Sequence, residues 1–364
     1  MVQIPKEMRA LRVEHKGDKH YKLTTVPVPQ PKGHEALVKI GAAGLCHTDL
    51  LVMSGEFGGD NYPITGSHEP AGTVVALGPD ARGYVEVGQR VAGLLPLDPC
   101  GKCADCRLGD WKYCGNSKYT GIHVDGAFAE YEILDARHLV PIPDTISFEQ
   151  VAPLTCAGVT IYTAIKKTNL KPGQILAISG LGALGHLGVQ MAKAMGLKVV
   201  GIDARPEPIE MTRGFKLAPD LLLDASKTPA EDAVKEIVKL REEGYDGWDG
   251  ADAVILTADP LSSQRYGLDI VRRHGLVVVV AQPPEIKFQF KDFIFRDLTI
   301  VGSLHGNTRD LKETIELCAK HGIQSELSTF TMEQSREMVD SVHDEKRKGK
   351  SVLVFEPWGG VDGV

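Results

Sequence analysis

The chain lacks any long apolar run. Its longest uninterrupted aliphatic stretch, "LVVVVA" at 276–281, is six residues, whereas a membrane-spanning helix takes about 20. Basic blocks are missing too. Lys and Arg number 41 against 48 Asp and Glu, a formal charge of −7, so no surface is expected to track a phosphate backbone and nucleic acid is not an expected partner. The polar opening, "MVQIPKEMRALRVEHKGDK", has no apolar core of the kind a signal peptide needs, and the expectation is a cytoplasmic protein without membrane association. Cysteine is scarce and odd in number, seven. In a reducing compartment clustered cysteines are metal ligands more often than disulfides.

What is present suits a globular protein. With 364 residues, 43% hydrophobic, 24% charged and 39 glycines, the chain is too long for one ordinary core, and two domains are expected. From residue 6 to about 140, short apolar stretches such as "ALVKIGAAG", "AGTVVALG", "QRVAGLL" and "FAEYEIL" are broken by Gly and Pro, the rhythm of a β-rich unit. After residue 170 the rhythm changes. Strand candidates at 174–180, 198–203, 220–224, 251–258, 275–282 and 298–303 alternate with helix candidates after 184 and at 207–217, 230–243 and 260–273. Their continuous apolar character fits a doubly wound parallel sheet buried on both faces. "LKETIELCAKHG" and "MEQSREMVDSVHDEK" then read as two amphipathic helices, "KSVLVFE" as a strand, and "PWGGVDGV" as a frayed end.

Within "SGLGALGHLG" the turn formed by Gly180, Leu181, Gly182 and Gly185 has GxGxxG spacing. It ends a strand candidate, opens a helix candidate, and is followed 18 residues after its last glycine by Asp203, at the end of the next strand. That context is what a dinucleotide site requires. Glycine lets the backbone approach the pyrophosphate at a helix N-terminus, and the acidic residue accepts ribose hydroxyls while repelling a 2′-phosphate. NAD is therefore favoured over NADP. Arg205, two residues past Asp203, moderates the preference.

"CGKCADCRLGDWKYC" places Cys100, Cys103, Cys106 and Cys114 in CxxCxxCx7C spacing. Four thiolates close a tetrahedral zinc site with no position left for substrate. An iron–sulfur cluster is the weaker reading, because its fourth cysteine would follow after three residues and precede proline. Among the other cysteines, Cys46 in "GLCHTDL" stands 22 residues before His68 in "GSHEPAG", with Glu69 beside it. Two thiolates and an imidazole would leave one coordination position open. On spacing alone, buried cysteines with an unrelated histidine explain these residues equally well.

Taken in order, "GLCHTDL", "GSHEPAG", "CGKCADC…C", "PLTCAGVTIYTAI" and "SGLGALG…GID" resemble the zinc-dependent medium-chain alcohol dehydrogenases, nearest the yeast type, over residues 7–356. The resemblance implies a GroES-like β-rich catalytic domain over 1–157, a Rossmann NAD-binding domain over 158–301, and a return to the catalytic domain over 302–364, with cofactor and substrate in the cleft between domains. It implies a catalytic zinc on Cys46, His68 and Cys156, a structural zinc on the four clustered cysteines, and Glu69 as a carboxylate near the metal. Thr48 matches the hydroxyl that starts the proton relay, with an N-cap role before a helix beginning near 49 compatible with it. Asp49 matches the carboxylate that orients His68. His47 and Lys350 match positions that meet the cofactor pyrophosphate, and Val280 and Ser303 positions near the nicotinamide. Cys318 matches no ligand. A homotetramer, or else a dimer, follows from the same likeness.

Three departures from that pattern bear on function. Leu51 stands where the relay histidine is often found. Pro208 replaces a lysine near the adenosine ribose, with Arg205 as the candidate to compensate. Phe57 and Leu95 replace two tryptophans that narrow the substrate pocket, so alcohols larger than ethanol are the expected substrates, with carbonyls reduced in reverse. A polyol dehydrogenase or aldehyde reductase of the same superfamily is the nearest alternative, and a non-catalytic nucleotide-binding relative a remote one.

Overall fold

The computed structural model describes residues 3–241, 247–344, 346 and 348–355. Part of the helix expected over 230–243, the end of "KSVLVFE" and the whole of "PWGGVDGV" lie outside the described residues. The chain divides into two compact units: Met1–Ala157 with Gly306–Ala319 and Glu326–Val364, and Gly158–His305 with Lys320–Ser325.

The first unit is organised around one long strand, Glu35–Leu45. One edge pairs antiparallel with Pro70–Leu77. The other edge is shared: Glu35 to Lys39 pair with Tyr131–Asp135, and Ala42 to Leu45 pair with Lys350–Val354, from the far end of the chain. Leu11, Val38, Leu45, Phe128, Leu134 and Leu353 fill the core inside these strands. Two glycines of the central strand are sterically required. A Cβ on Gly41 would meet the Phe148 ring at 2.3 Å, and one on Gly44 would meet the Glu69 carboxylate at 1.8 Å.

The second unit is a six-stranded parallel sheet in the order Leu221–Asp224, Lys198–Asp203, Ile175–Ser179, Ala251–Leu256, Val271–Val279, Thr299–Gly302. Numbered within the unit this is 3-2-1-4-5-6, the doubly wound dinucleotide-binding order. Leu176, Val200, Val254, Ile255, Val277 and Val278 are fully buried, which is why these strands read as unbroken apolar runs. Helices Gly185–Ala194, Pro206–Arg213, Ala230–Val238 and Leu261–Ile270 lie in four of the crossovers and the short helix Phe290–Ile294 in the last.

The helices expected over 207–217 and 230–243 end earlier, at Arg213 and Val238, and two further departures change the packing. The strand anticipated from 275 begins at Val271, and its register shifts between Ala251 and Ala253 so that Leu276 resumes the pairing; the intervening His274 adopts φ 55°. Arg272 uses this excursion to reach Asp252 at 2.7 Å. "MEQSREMVDSVHDEK" is not one helix but a 3-10 turn (Met332–Gln334), a short helix (Ser335–Asp340) and a second 3-10 turn (Ser341–His343). Ser341 there bonds the Met338 carbonyl and the Ser351 hydroxyl, tying the second turn to the returning strand rather than letting the helix run on.

Candidate metal centres

Cys100, Cys103, Cys106 and Cys114 converge, each offering a sulfur within 4.8 Å of the others. Cys100 and Cys106 sulfurs are 3.9 Å apart. Ligands at 2.3 Å in a tetrahedron are separated by about 3.8 Å, so the donor set fits zinc. Backbone amides reinforce it: Cys103 N–H donates to Cys100 Sγ, Cys106 N–H to Cys103 Sγ and Cys100 N–H to Cys114 Sγ, each at 3.4 Å. Such donors favour thiolate over thiol. The Lys102 and Cys103 amides push Cys100 down to about 6, whereas burial pushes Cys106 up to about 12.

The second cluster assembles residues far apart in sequence. Cys46, His68, Glu69 and Cys156 each place a donor atom within 4.8 Å of the others. His68 Nε2 lies 3.3 Å from Cys156 Sγ, close to the separation of about 3.6 Å expected across a tetrahedral zinc from one nitrogen and one sulfur. This set also fits zinc, with Glu69 as a further oxygen donor in the same cluster. Glu69 Oε2 is buried with no hydrogen-bond partner, which in a protein interior calls for a ligand, water or ion. Cys46 is pushed well below the ordinary thiol range by its hydrogen bond with Cys156, and the positive charges of His68 and Lys350 act in the same direction. Cys156 moves correspondingly upward.

Local structure explains how these side chains are held. Cys46 is the extended N-cap of the helix His47–Ser54, and Asp49 at its third position accepts from Cys46 N–H at 2.7 Å. The helix therefore starts at His47, earlier than expected, and the cap is not Thr48. Asp49 is 1% exposed. Its Oδ1 accepts from Ser67 N–H at 2.9 Å and stands 3.6 Å from His68 Nδ1, too long for a hydrogen bond but close enough to orient the imidazole by charge. Burial would lower His68; Asp49, with Cys46, outweighs it and holds the imidazole well above its ordinary value. A bound cation would displace that proton.

Lys350 is fully enclosed. Its Nζ donates to Glu69 Oε1 at 2.6 Å and to the Leu45 carbonyl at 2.9 Å. Burial opposes the ammonium charge, but Glu69, Cys46 and Cys156 together hold Lys350 above its usual value. Glu69 itself is pushed up to about 7 by burial, with Lys350 pulling the other way. Thr48 is half-buried, its Oγ1 3.8 Å from Cys46 Sγ. His47 is exposed, Leu95 half-buried, and Phe57 46% exposed.

In the second unit, Gly180 adopts φ 104°, and a Cβ there would meet Thr257 Oγ1 at 2.6 Å. A Cβ on Gly185 would meet the Gly180 carbonyl at 1.8 Å, whereas one on Gly182 would meet nothing closer than Arg205 Nη2 at 3.8 Å. Space is thus kept open beside the second glycine only, where a pyrophosphate would approach. Leu181 N–H donates to Asp203 Oδ2 at 2.8 Å, joining the turn to the end of the next strand. Val280 and Ser303 follow the carboxyl ends of Val271–Val279 and Thr299–Gly302, and Ser303 N–H donates to the Val279 carbonyl. Several contributors left no trace in the sequence, among them the Leu45 carbonyl on Lys350, Ser67 on Asp49, and Thr257, whose hydroxyl donates to the Ser179 and Gly180 carbonyls.

A cluster of metal-type donors and a turn of dinucleotide-binding form are what a metal-dependent dehydrogenase requires. Comparison with known proteins agrees. Residues 32–144 match the alcohol dehydrogenase GroES-like domain and residues 183–320 the zinc-binding dehydrogenase domain. An alcohol dehydrogenase of Geobacillus stearothermophilus is 35% identical over 94% of this chain and 97% of its own length. An NAD-dependent alcohol dehydrogenase of Sulfurisphaera tokodaii is 32% identical over 95% and 100% respectively. The structure of acetophenone reductase from Geotrichum candidum in complex with NAD superposes with a TM-score of 0.82 at 27% identity, covering 97% of this chain and 99% of that one. The chain belongs to the zinc-dependent medium-chain alcohol dehydrogenase family. With that membership go the reaction class, hydride exchange between an alcohol and NAD, and the metal, zinc.

Proposed function

We propose that this enzyme interconverts alcohols bulkier than ethanol with their aldehydes or ketones, using Cys46, His68 and Cys156 as ligands of a catalytic zinc. The observation that carries the reading is the convergence of two sulfurs and an imidazole with the Glu69 carboxylate, all within 4.8 Å of one another. Zinc, when bound, supplies a Lewis acid that makes an alcohol hydroxyl easier to deprotonate. Thr48 Oγ1, beside Cys46, takes the hydroxyl proton into a hydrogen bond. Asp49 keeps His68 oriented. Lys350, enclosed on Glu69 and Leu45, is assigned to holding that carboxylate rather than to the pyrophosphate. With Leu51 downstream of Thr48, the proton leaves through the cofactor ribose or water instead of an imidazole. Cofactor contacts are assigned to His47, Gly180, Leu181, Gly182, Gly185, Asp203, Arg205, Val280 and Ser303, and the structural zinc to Cys100, Cys103, Cys106 and Cys114.

Phe57 and Leu95 are assigned to the substrate pocket, where neither brings the bulk of an indole. The test is kcat/KM with NAD for ethanol, 1-hexanol, benzyl alcohol and a polyol, on protein of measured zinc content. The larger monohydric alcohols should lead. Ethanol as the best substrate would refute the pocket assignment, and the polyol as the best would favour a polyol dehydrogenase. A homotetramer in the cytoplasm completes the proposal. Its supports are the yeast-type likeness and seven unpaired thiols, which suit a reducing compartment; light scattering tests the assembly.

A further inference from the structure

The carboxylate expected to select NAD is already engaged. Asp203 Oδ1 accepts from Ala204 N–H at 2.9 Å, Arg205 N–H at 3.0 Å and Arg205 Nε at 3.2 Å. Its Oδ2 accepts from Leu181 N–H at 2.8 Å and Arg205 Nη2 at 3.4 Å. A carboxylate offers about four lone-pair directions, so these contacts leave little for ribose hydroxyls. Selection against a 2′-phosphate depends on a free, repelling acidic group at this position. Here the charge is neutralised by the guanidinium lying on it.

That guanidinium lies at the surface, on the solvent side of the carboxylate. The Arg205 side chain is 46% exposed against 7% for Asp203, and it borders the open space beside Gly182. Arg205 is also the extended N-cap of the helix Pro206–Arg213, whose amide end favours anions. Other charges nearby are the half-buried Glu207 in that helix's first turn and Asp224. Asp224 sits beside Asp203 in the sheet register and is neutralised by Lys227 at 2.8 Å.

We propose that the adenosine end of this site accepts a 2′-phosphomonoester as well as a free ribose, so that the enzyme uses NADP alongside NAD, with Arg205 as the switching residue. Turned inward, as here, Arg205 masks Asp203. Turned outward, its fork pairs with the phosphate, and Asp203 keeps the Leu181, Ala204 and Arg205 amides. This deepens the NAD-dependent reading above and rests on it.

Fluorescence titration of NADH and NADPH into the zinc-loaded enzyme, with 5′-AMP and 2′-AMP as competitors, tests it without turnover. The wild-type ratio of the NADPH to the NADH Kd should lie below about a hundredfold. Arg205→Ala should raise that ratio at least about tenfold, the scale of one lost charge-assisted hydrogen bond. Arg205→Lys, a point charge without the fork, should fall between. A wild-type ratio above a hundredfold, or a smaller rise in Arg205→Ala, overturns the proposal while leaving NAD dependence intact. Failure to bind either cofactor overturns both.

Discussion

Lys350 and Glu69 form an ion pair at 2.6 Å with both side chains almost completely buried, 1% and 0% exposed. Lys350→Met removes the ammonium but leaves the carboxylate. Glu69 Oε2 already lacks a partner, so after substitution the carboxylate has no side-chain cation hydrogen-bonded to it and only the nearby His68 imidazolium opposes its charge. Breaking a buried pair from one side costs about 3–5 kcal/mol, whereas replacing both partners by apolar groups is often near neutral. Lys350 also opens the strand that pairs with Ala42 to Leu45, and its Nζ holds the Leu45 carbonyl, so the loss should be local to that pairing. Native-state hydrogen exchange of the amides in 42–45 and 350–354 reads it directly. This avoids a global unfolding free energy, which is poorly defined for a two-unit metalloprotein. Lys350→Met should speed exchange there by roughly a hundredfold or more, and Glu69→Leu combined with Lys350→Met should recover most of the protection. The reasoning is refuted if Lys350→Met changes exchange less than threefold, or if the double variant exchanges as fast as the single one.

Cys103→Ser should cost the protein one zinc equivalent and lower its melting temperature, because the clustered site closes only with all four thiolates; loss of turnover with both metals retained would contradict the division between the two clusters. His138 is 1% exposed, with its ring centroid 4.0 Å from that of Trp111, and burial pushes it down to about 4. Its folded pKa thus lies below the unfolded value of about 6.5, so the unfolded state takes up the proton first. Stability should fall as pH drops from about 6.5 toward 4, by roughly 3 kcal/mol for this group alone. His138→Leu should flatten that segment of the acid melting profile, and an unchanged slope would show that the imidazole is not the group responsible.

Sequence determined the local parts. GxGxxG spacing followed by Asp203 specified the dinucleotide turn, because only glycine fits where Cβ atoms would collide with Thr257 and the Gly180 carbonyl. Apolar runs specified the parallel sheet, since strands covered on both faces have no polar alternation to show. The clustered cysteines could be read directly, because fifteen residues span the whole site. Tertiary structure decided everything that depends on distance along the chain. Cys46, His68 and Cys156 become one donor set only when the strands around Glu35–Leu45 close. Lys350 meets Glu69 across 281 residues of sequence because the last described strand returns to pair with Ala42 to Leu45. Arg205 lies close to Asp203 in sequence, yet only side-chain geometry reveals that it masks the carboxylate. Spacing encodes which residues can share a turn, whereas charge pairing inside a core depends on which strands meet, and that is settled by the packing of the whole unit.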